Sequence, residues 1–102
     1  MELSFRDPLE CYQQIGSLVA NAIPESWVDV EISCELSGLE VALVKTYMPR
    51  VGLVRRDVPF IPTLGECFYR LARLVSTEEK GFFRKCAFRM AGDGKFDVKF
   101  EY

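Results

Sequence analysis

Carboxylates are the side chains whose spacing most clearly suggests a function for this chain. Asp29, Glu31 and Glu35 stand at alternate positions of a predicted strand, and Glu40 follows at the start of the next one. Residues 1–40 carry a net charge of −7, whereas residues 41–102 carry +5. Because alternate residues of a strand share one face, these carboxylates should form an acidic surface that attracts a basic partner.

Catalysis and metal binding find little support in the same sequence. The chain has no histidine, which removes the commonest general base and the commonest metal ligand. Carboxylates on an open strand face also lack the cleft that an active site needs. Residues 92–95 (Gly-Asp-Gly-Lys) stand between two strand patterns and predict a hairpin turn instead of a phosphate-binding loop. We therefore expect no enzymatic activity, no metal and no cofactor.

The four cysteines fit a buried structural role better than a zinc site. Cys11, Cys34, Cys67 and Cys86 are separated by 23, 33 and 19 positions, whereas structural zinc ligands usually come in closely spaced pairs. Each stands in an apolar stretch, which favours free thiols in the core. A disulfide between Cys34 and Cys86 stays open as an alternative if their strands are neighbours.

Charge and hydropathy predict the location of the protein in the cell and the kinds of partner it does not bind. A net charge of −2 gives no overall attraction to nucleic acid, and no apolar run approaches the length of a membrane span. The N-terminus lacks the basic-then-apolar layout of an export signal. We expect a cytoplasmic protein that binds neither nucleic acid nor membranes directly.

Hydrophobic periodicity predicts the elements that would position the carboxylates. Asp7, Pro8 and Glu10 form a helix start, and the helical spacing that follows ends before Pro24. Alternation predicts strands over residues 27–36, 39–48 and 51–58, then a second helix opened by a capping box at Thr63, then strands over 82–90 and 96–102. Residues 1–102 should thus form a single α+β domain, with an antiparallel five-stranded sheet and two helices on one face, in the order α-β-β-β-α-β-β.

The first predicted strand has a dry face and an acidic face. Its inward residues should be Val28, Val30, Ile32, Cys34 and Leu36, and its outward residues Trp27, Asp29, Glu31, Ser33 and Glu35. A two-residue turn at Ser37 and Gly38 would place Glu35 directly opposite Glu40, a pairing that costs stability. The same face would carry Ala42 and Val44 without interspersed lysines, a composition that resembles a protein interface.

Arg50, Arg55 and Arg56 form a basic cluster between the second and third predicted strands. A nucleic-acid interface would need more cations and interleaved aromatic residues. The arginines are expected either to pair with the protein's own acids, which we favour, or to join a partner surface.

Several stretches resemble the YezG-like immunity proteins. They are residues 12–15 (Tyr-Gln-Gln-Ile), 22–27 (Ala-Ile-Pro-Glu-Ser-Trp), 68–74 and the closing residues 92–102, where Asp-Gly-Lys-Phe leads to an aromatic-acid-aromatic end. The resemblance implies a bacterial protein that binds a cognate toxin domain, often a nuclease delivered between competing cells, and it implies no catalytic residues. Residues 45–62 depart from the pattern, as do Phe82 and Phe83, which puts the identity of the toxin in doubt.

The residues and the resemblance lead to one hypothesis. Asp29, Glu31, Glu35 and Glu40 would attract a basic toxin domain, Trp27 would be a packing anchor, and the protein would be a monomer or weak dimer. The alternative is a small acidic secretion or effector chaperone that holds an unfolded client segment in apolar grooves. Salt should separate the two, since apolar binding tolerates it.

Overall fold

The computed structural model describes residues 7–38, 40–52, 54–76, 79 and 81–102. Its elements are α1 (Pro8–Ala22), β1 (Trp27–Ser37), β2 (Glu40–Pro49), β3 (Arg56–Asp57), α2 (Leu64–Val75), β4 (Lys85–Ala91) and β5 (Phe96–Glu101). The strands form one antiparallel sheet in the order β3-β2-β1-β4-β5. The predicted α+β class and element order are confirmed.

The two helices begin differently, although the sequence carries a start signal for both. Asp7 caps α1 by accepting a hydrogen bond from the Glu10 N–H at 3.0 Å, and the helix ends before Pro24 as expected. Thr63 makes no side-chain cap on α2. Its backbone is already helical, with φ −93° and ψ −3°, so it lacks the extended conformation that directs a capping side chain back to the first turn.

Both helices cover one face of the sheet, and the core lies between the two layers. The central strands contribute alternate residues that are fully or almost fully buried: Val30, Ile32 and Cys34 from β1, and Cys86, Phe88 and Met90 from β4. The Phe88 ring lies 6.5 Å from Phe68 of α2 and 6.4 Å from Tyr12 of α1. This face has the apolar alternation that the sequence predicted.

The β1–β2 hairpin turns one position later than predicted. Ser37 pairs with Glu40, so the connection between the strands begins at Gly38, which takes the left-handed conformation with φ 62°. Glu35 consequently lies opposite Ala42. The predicted pairing of Glu35 with Glu40 was wrong, and the repulsion it implied is absent from this pair.

A β-bulge at the start of β1 reverses the orientation of its first residues. The register with β2 shifts between Trp27 and Asp29, so Trp27 packs against the core and Val28 is exposed. Gly92 donates its N–H to the Val28 carbonyl at 2.8 Å, and a Cβ at position 92 would lie only 3.2 Å from that oxygen. Glycine at this position therefore permits the close approach that closes the bulge.

The third and fourth strands are shorter than predicted. β3 has two residues instead of the expected eight, because the chain turns at Gly52, whose φ of 140° is incompatible with a regular strand. β4 begins at Lys85 instead of residue 82. Both differences lie at the ends of elements, and the core strands β1 and β2 keep nearly their predicted extent.

Candidate interaction surface

The outer face of the sheet, opposite the helices, gathers the predicted acidic residues. Asp29, Glu31 and Glu35 project from β1 on this side, as expected from their alternation with buried residues. The register adds side chains of the neighbouring strands: Ala42, Val44 and Thr46 of β2, Lys85, Ala87 and Arg89 of β4, and Asp97, Lys99 and Glu101 of β5. We call this surface the outer face.

Cations of the protein itself neutralise much of the β1 acidity. Arg55 Nη1 lies 2.7 Å from Asp29 Oδ1, and its other terminal nitrogen lies 3.8 Å from Glu31. Lys85 Nζ lies 3.4 Å from Glu35, and Arg89 lies 3.9 Å from Glu31. The expectation of an acidic face without interspersed cations was therefore wrong. β4 supplies Lys85 and Arg89, and Arg55 comes from the connection before β3.

The paired acids differ in how much solvent they meet. The side chain of Asp29 is 17% exposed and that of Glu35 is 58% exposed. Arg55 also donates to Thr46 Oγ1 at 3.1 Å and to the Thr46 carbonyl at 3.3 Å. Asp29 therefore belongs to a partly buried network that holds the β2–β3 connection, whereas Glu35 belongs to a solvent-screened surface pair.

Glu40 lies at the hairpin end of the outer face, and no ion pair joins it to any described residue. Trp27 does not belong to this face: the bulge turns it toward the helices, where it lines a shallow groove with Tyr12 and Met90. The prediction of Trp27 as an anchor among the acids is corrected accordingly. Val44, 67% exposed, is a hydrophobic group that the outer face does present.

A shallow depression of about 350 Å³ occupies the middle of the outer face. Its floor is formed by residues with short side chains, including Ser33, Val44 and Ala87, and its rim by Glu31, Arg89, Asp97 and Lys99. An apolar floor inside a charged rim is the anatomy of a protein interface. It can receive a side chain of a partner, and both signs of charge on its rim can orient that partner.

The arginine cluster is largely used within the molecule. Arg55 pairs with Asp29 and Glu31, and Arg56 lies 3.0 Å from Glu25. The favoured interpretation, pairing with the protein's own acids, is thus confirmed for these two. The sequence contains the arginines and the acids of these pairs, but only the strand order determines which arginine lies beside which acid.

The cysteines are four free thiols in the core, as expected. Cys34 and Cys86 lie directly opposite each other on β1 and β4. Burial raises the pKa of both thiols to about 12, and burial raises the pKa of Cys11 and Cys67 to about 11. Within the described ranges, no three Cys, Asp or Glu side chains are grouped as a metal site would require. These thiols are packing groups.

Comparisons with known proteins assign no family to the chain. No family model matches it, and no curated protein matches it. Among the described helices, neither is long and apolar enough to cross a membrane. The resemblance to the YezG-like immunity proteins therefore stays a prediction.

Proposed function

We propose that this protein is an immunity protein of the YezG-like type, which neutralises a basic toxin domain, such as a nuclease, by binding it on the outer face. The observation that carries the proposal is the charge of this open surface. Its described residues include seven carboxylates (Asp29, Glu31, Glu35, Glu40, Asp57, Asp97, Glu101) and five cations (Arg55, Lys85, Arg89, Lys95, Lys99). Charged side chains of both signs surround a small apolar floor that a partner can contact.

Internal ion pairs do not prevent such binding, because the exposed ones are weak. Solvent-screened pairs of the Glu35–Lys85 kind contribute roughly 0–1 kcal/mol. A toxin that brings several cations can therefore exchange them for Lys85 and Arg89 at low cost. Glu31, Glu35 and Glu40 are assigned the electrostatic role, and Asp29 holds Arg55 in place beside them.

The hydrophobic part of the interface is assigned to Val44 in place of Trp27. Val44 is exposed on the outer face and lines its central depression together with Ser33 and Ala87. A central apolar contact inside a polar rim would contribute most to the lifetime of the complex, whereas the rim acids would mainly raise its association rate. The neutralising step is occupation or covering of the basic cleft in which the toxin would bind its substrate.

The test is a charge reversal of Glu35→Lys together with Glu40→Lys. The cognate domain is to be sought in the gene immediately upstream, and its affinity measured by calorimetry and by stopped-flow association at several salt concentrations. We expect at least about tenfold weaker binding, most of it in the association rate and most of it at low salt. A matched control reverses Glu66 and Glu79, which changes the net charge equally outside the outer face. Equal affinities of the two double variants would reject this surface as the toxin site.

The chaperone alternative has an observation of its own. Val51, Val54 and Phe60, in the connection around β3, are exposed apolar side chains. A client segment could bind such groups through burial of apolar surface, which salt does not weaken. Binding of an unfolded segment that persists at high salt, and that fails when Phe60→Ser and Val54→Ser are combined, would favour this function over toxin neutralisation.

A further inference from the structure

β5 ends the sheet and leaves one edge without a partner strand among the described residues. The hydrogen bond from the Ala91 N–H to the Lys95 carbonyl, 2.7 Å long, shows which residues of β5 face β4. The backbone groups of Lys95 and of every second residue after it bond to β4, because hydrogen-bonded positions alternate along an antiparallel pair. The backbone groups of Phe96, Val98 and Phe100 consequently point away from the sheet.

The same strand carries charges that alternate in sign. Lys95, Asp97, Lys99 and Glu101 are all exposed, and their side chains stand on the outer face. Their side chains form no ion pair with any described residue. Charged residues commonly protect a sheet edge from pairing, but that protection depends on repulsion. Alternating signs instead permit attraction to a strand with the complementary pattern.

We propose that the occupant of this edge is β5 of a second copy, in an antiparallel pair centred on Val98. With Val98 opposite its own copy, Lys95 faces Glu101 of the other chain and Asp97 faces Lys99. Two-fold symmetry repeats both pairs, so every charged residue of the strand meets an opposite charge. The two sheets then join into one that is continuous across the molecular axis.

Charge disfavours the two registers next to this one. If the second strand shifts by two residues in one direction, Asp97 lies opposite Glu101 of the other copy and Lys99 lies opposite Lys99 of the other copy. The same shift in the other direction places Asp97 opposite Asp97 of the other copy and Lys95 opposite Lys99 of the other copy. Both alternatives bring like charges together directly across the strands, which is destabilising. Attraction in one register and repulsion in its neighbours select the pair centred on Val98.

Backbone geometry and packing agree with this register. The outward-pointing groups of Phe96, Val98 and Phe100 meet the same groups of the second copy, so both edges become hydrogen-bonded. The charged pairs then occupy the non-bonded positions, where facing side chains approach more closely. On the helix-covered side, Phe96 lies opposite Phe100 of the second copy, and both rings are half-buried in the single chain. Their remaining exposed edges can become covered.

Two charge variants test the inference without any toxin, since it is independent of the proposed function. Asp97→Lys gives a strand with cations at positions 97 and 99, and Lys99→Asp gives one with acids at both. Sedimentation velocity should find a wild-type dimer, and each variant alone should dissociate about tenfold more readily or further, because two of its four pairs become repulsive. An equimolar mixture should restore the dimer, because every pair between the two variants is attractive.

Circular dichroism checks that each variant keeps the wild-type fold, as expected for exposed positions. A wild-type chain that stays monomeric at about 1 mM would overturn the proposal, because no biologically useful affinity is then present. Variants that dimerise as well as the wild type would place the dimer contact elsewhere and overturn it too. A mixture no more associated than its components would reject the Val98-centred register.

Discussion

β1 and β5 have the same alternating pattern but occupy different places in the sheet. Each presents apolar residues to the helices and charged residues to the outer face. β1 lies between β2 and β4, and its three outward carboxylates all find cations within the molecule. β5 has β4 as its described neighbour, and its charged side chains have no ion pair with any described residue.

The position of a strand in the sheet therefore decides what its charges do. A central strand receives side chains from both sides, so its charges tend to be compensated and contribute modestly to stability. An edge strand keeps its charges, and its backbone groups, for another molecule. Asp29 therefore acts mainly within the fold, whereas the charges of β5 and Glu40 are available for binding.

Stability should change most through the buried side of β1, where Cys34 lies opposite Cys86. The folded pKa values of the four thiols, about 11 or 12, lie above the ordinary value of 9.0. At pH 8 and below, both the folded and the unfolded chain keep nearly all of the thiol protons, so almost no stability depends on them. Above pH 9 the unfolded chain loses those protons first, and stability falls by roughly 1 kcal/mol per thiol at pH 10. Urea unfolding at pH 8 and pH 10 measures this loss.

The variant Cys34→Ala with Cys86→Ala isolates the thiol contribution. It should be less stable at pH 8, because two buried sulfur atoms are lost from the core. Its further loss between pH 8 and pH 10 should be about half that of the wild type, because two titrating thiols remain. A variant whose pH dependence matches the wild type would show that lysines or tyrosines, and not these thiols, cause the alkaline loss.

A smaller loss of stability is expected when a cation that pairs with β1 is removed, and almost none when a cation of β5 is removed. Arg55→Ala leaves Asp29 without its 2.7 Å partner and removes both bonds to Thr46, so we expect a loss of about 1–2 kcal/mol. Lys99→Ala removes an exposed side chain that pairs with no described residue and should change stability by less than about 0.5 kcal/mol. Urea unfolding of dilute protein, where association is negligible, gives both values.

Equal losses in the two variants would contradict the contrast between the central and edge strands. Arg55→Lys sharpens the result, since it keeps the charge but cannot bond Asp29 and Thr46 together as a planar guanidinium does. It should recover only part of the loss.

Sequence periodicity was sufficient to predict the order of the elements and the burial of alternate residues. Local spacing determines which face of a strand is apolar, and Val30, Ile32 and Cys34 are buried as predicted. The bulge at Val28 depends on the approach of Gly92, which is distant in sequence, so no local pattern could place Trp27 correctly. The hairpin register depends on which residues of a short polar stretch turn, and a shift of one position moved Glu35 away from Glu40.

The charge of the candidate surface could be predicted only in part. Strand order decides that Lys85 and Arg89 stand beside Glu35 and Glu31. Strand order follows from packing of the whole sheet under the helices, which a single strand does not encode. The edge position of β5, which gives its alternating charges their importance, was inaccessible for the same reason.

A single surface ion pair of β1, Glu35 with Lys85, should contribute least to stability. Glu35→Lys faces Lys85 with a like charge, and Lys85→Glu does the same for Glu35, so each change should cost a few tenths of a kcal/mol. Together they restore an opposite pair with reversed sign, and the double-mutant cycle should give a coupling of about 0.3–0.5 kcal/mol that salt removes. A coupling of about 1–2 kcal/mol, as large as the loss expected for Arg55→Ala, would mean that β1 holds all its acids firmly. Exchange of Lys85 for a toxin cation would then be too costly to support binding at Glu35.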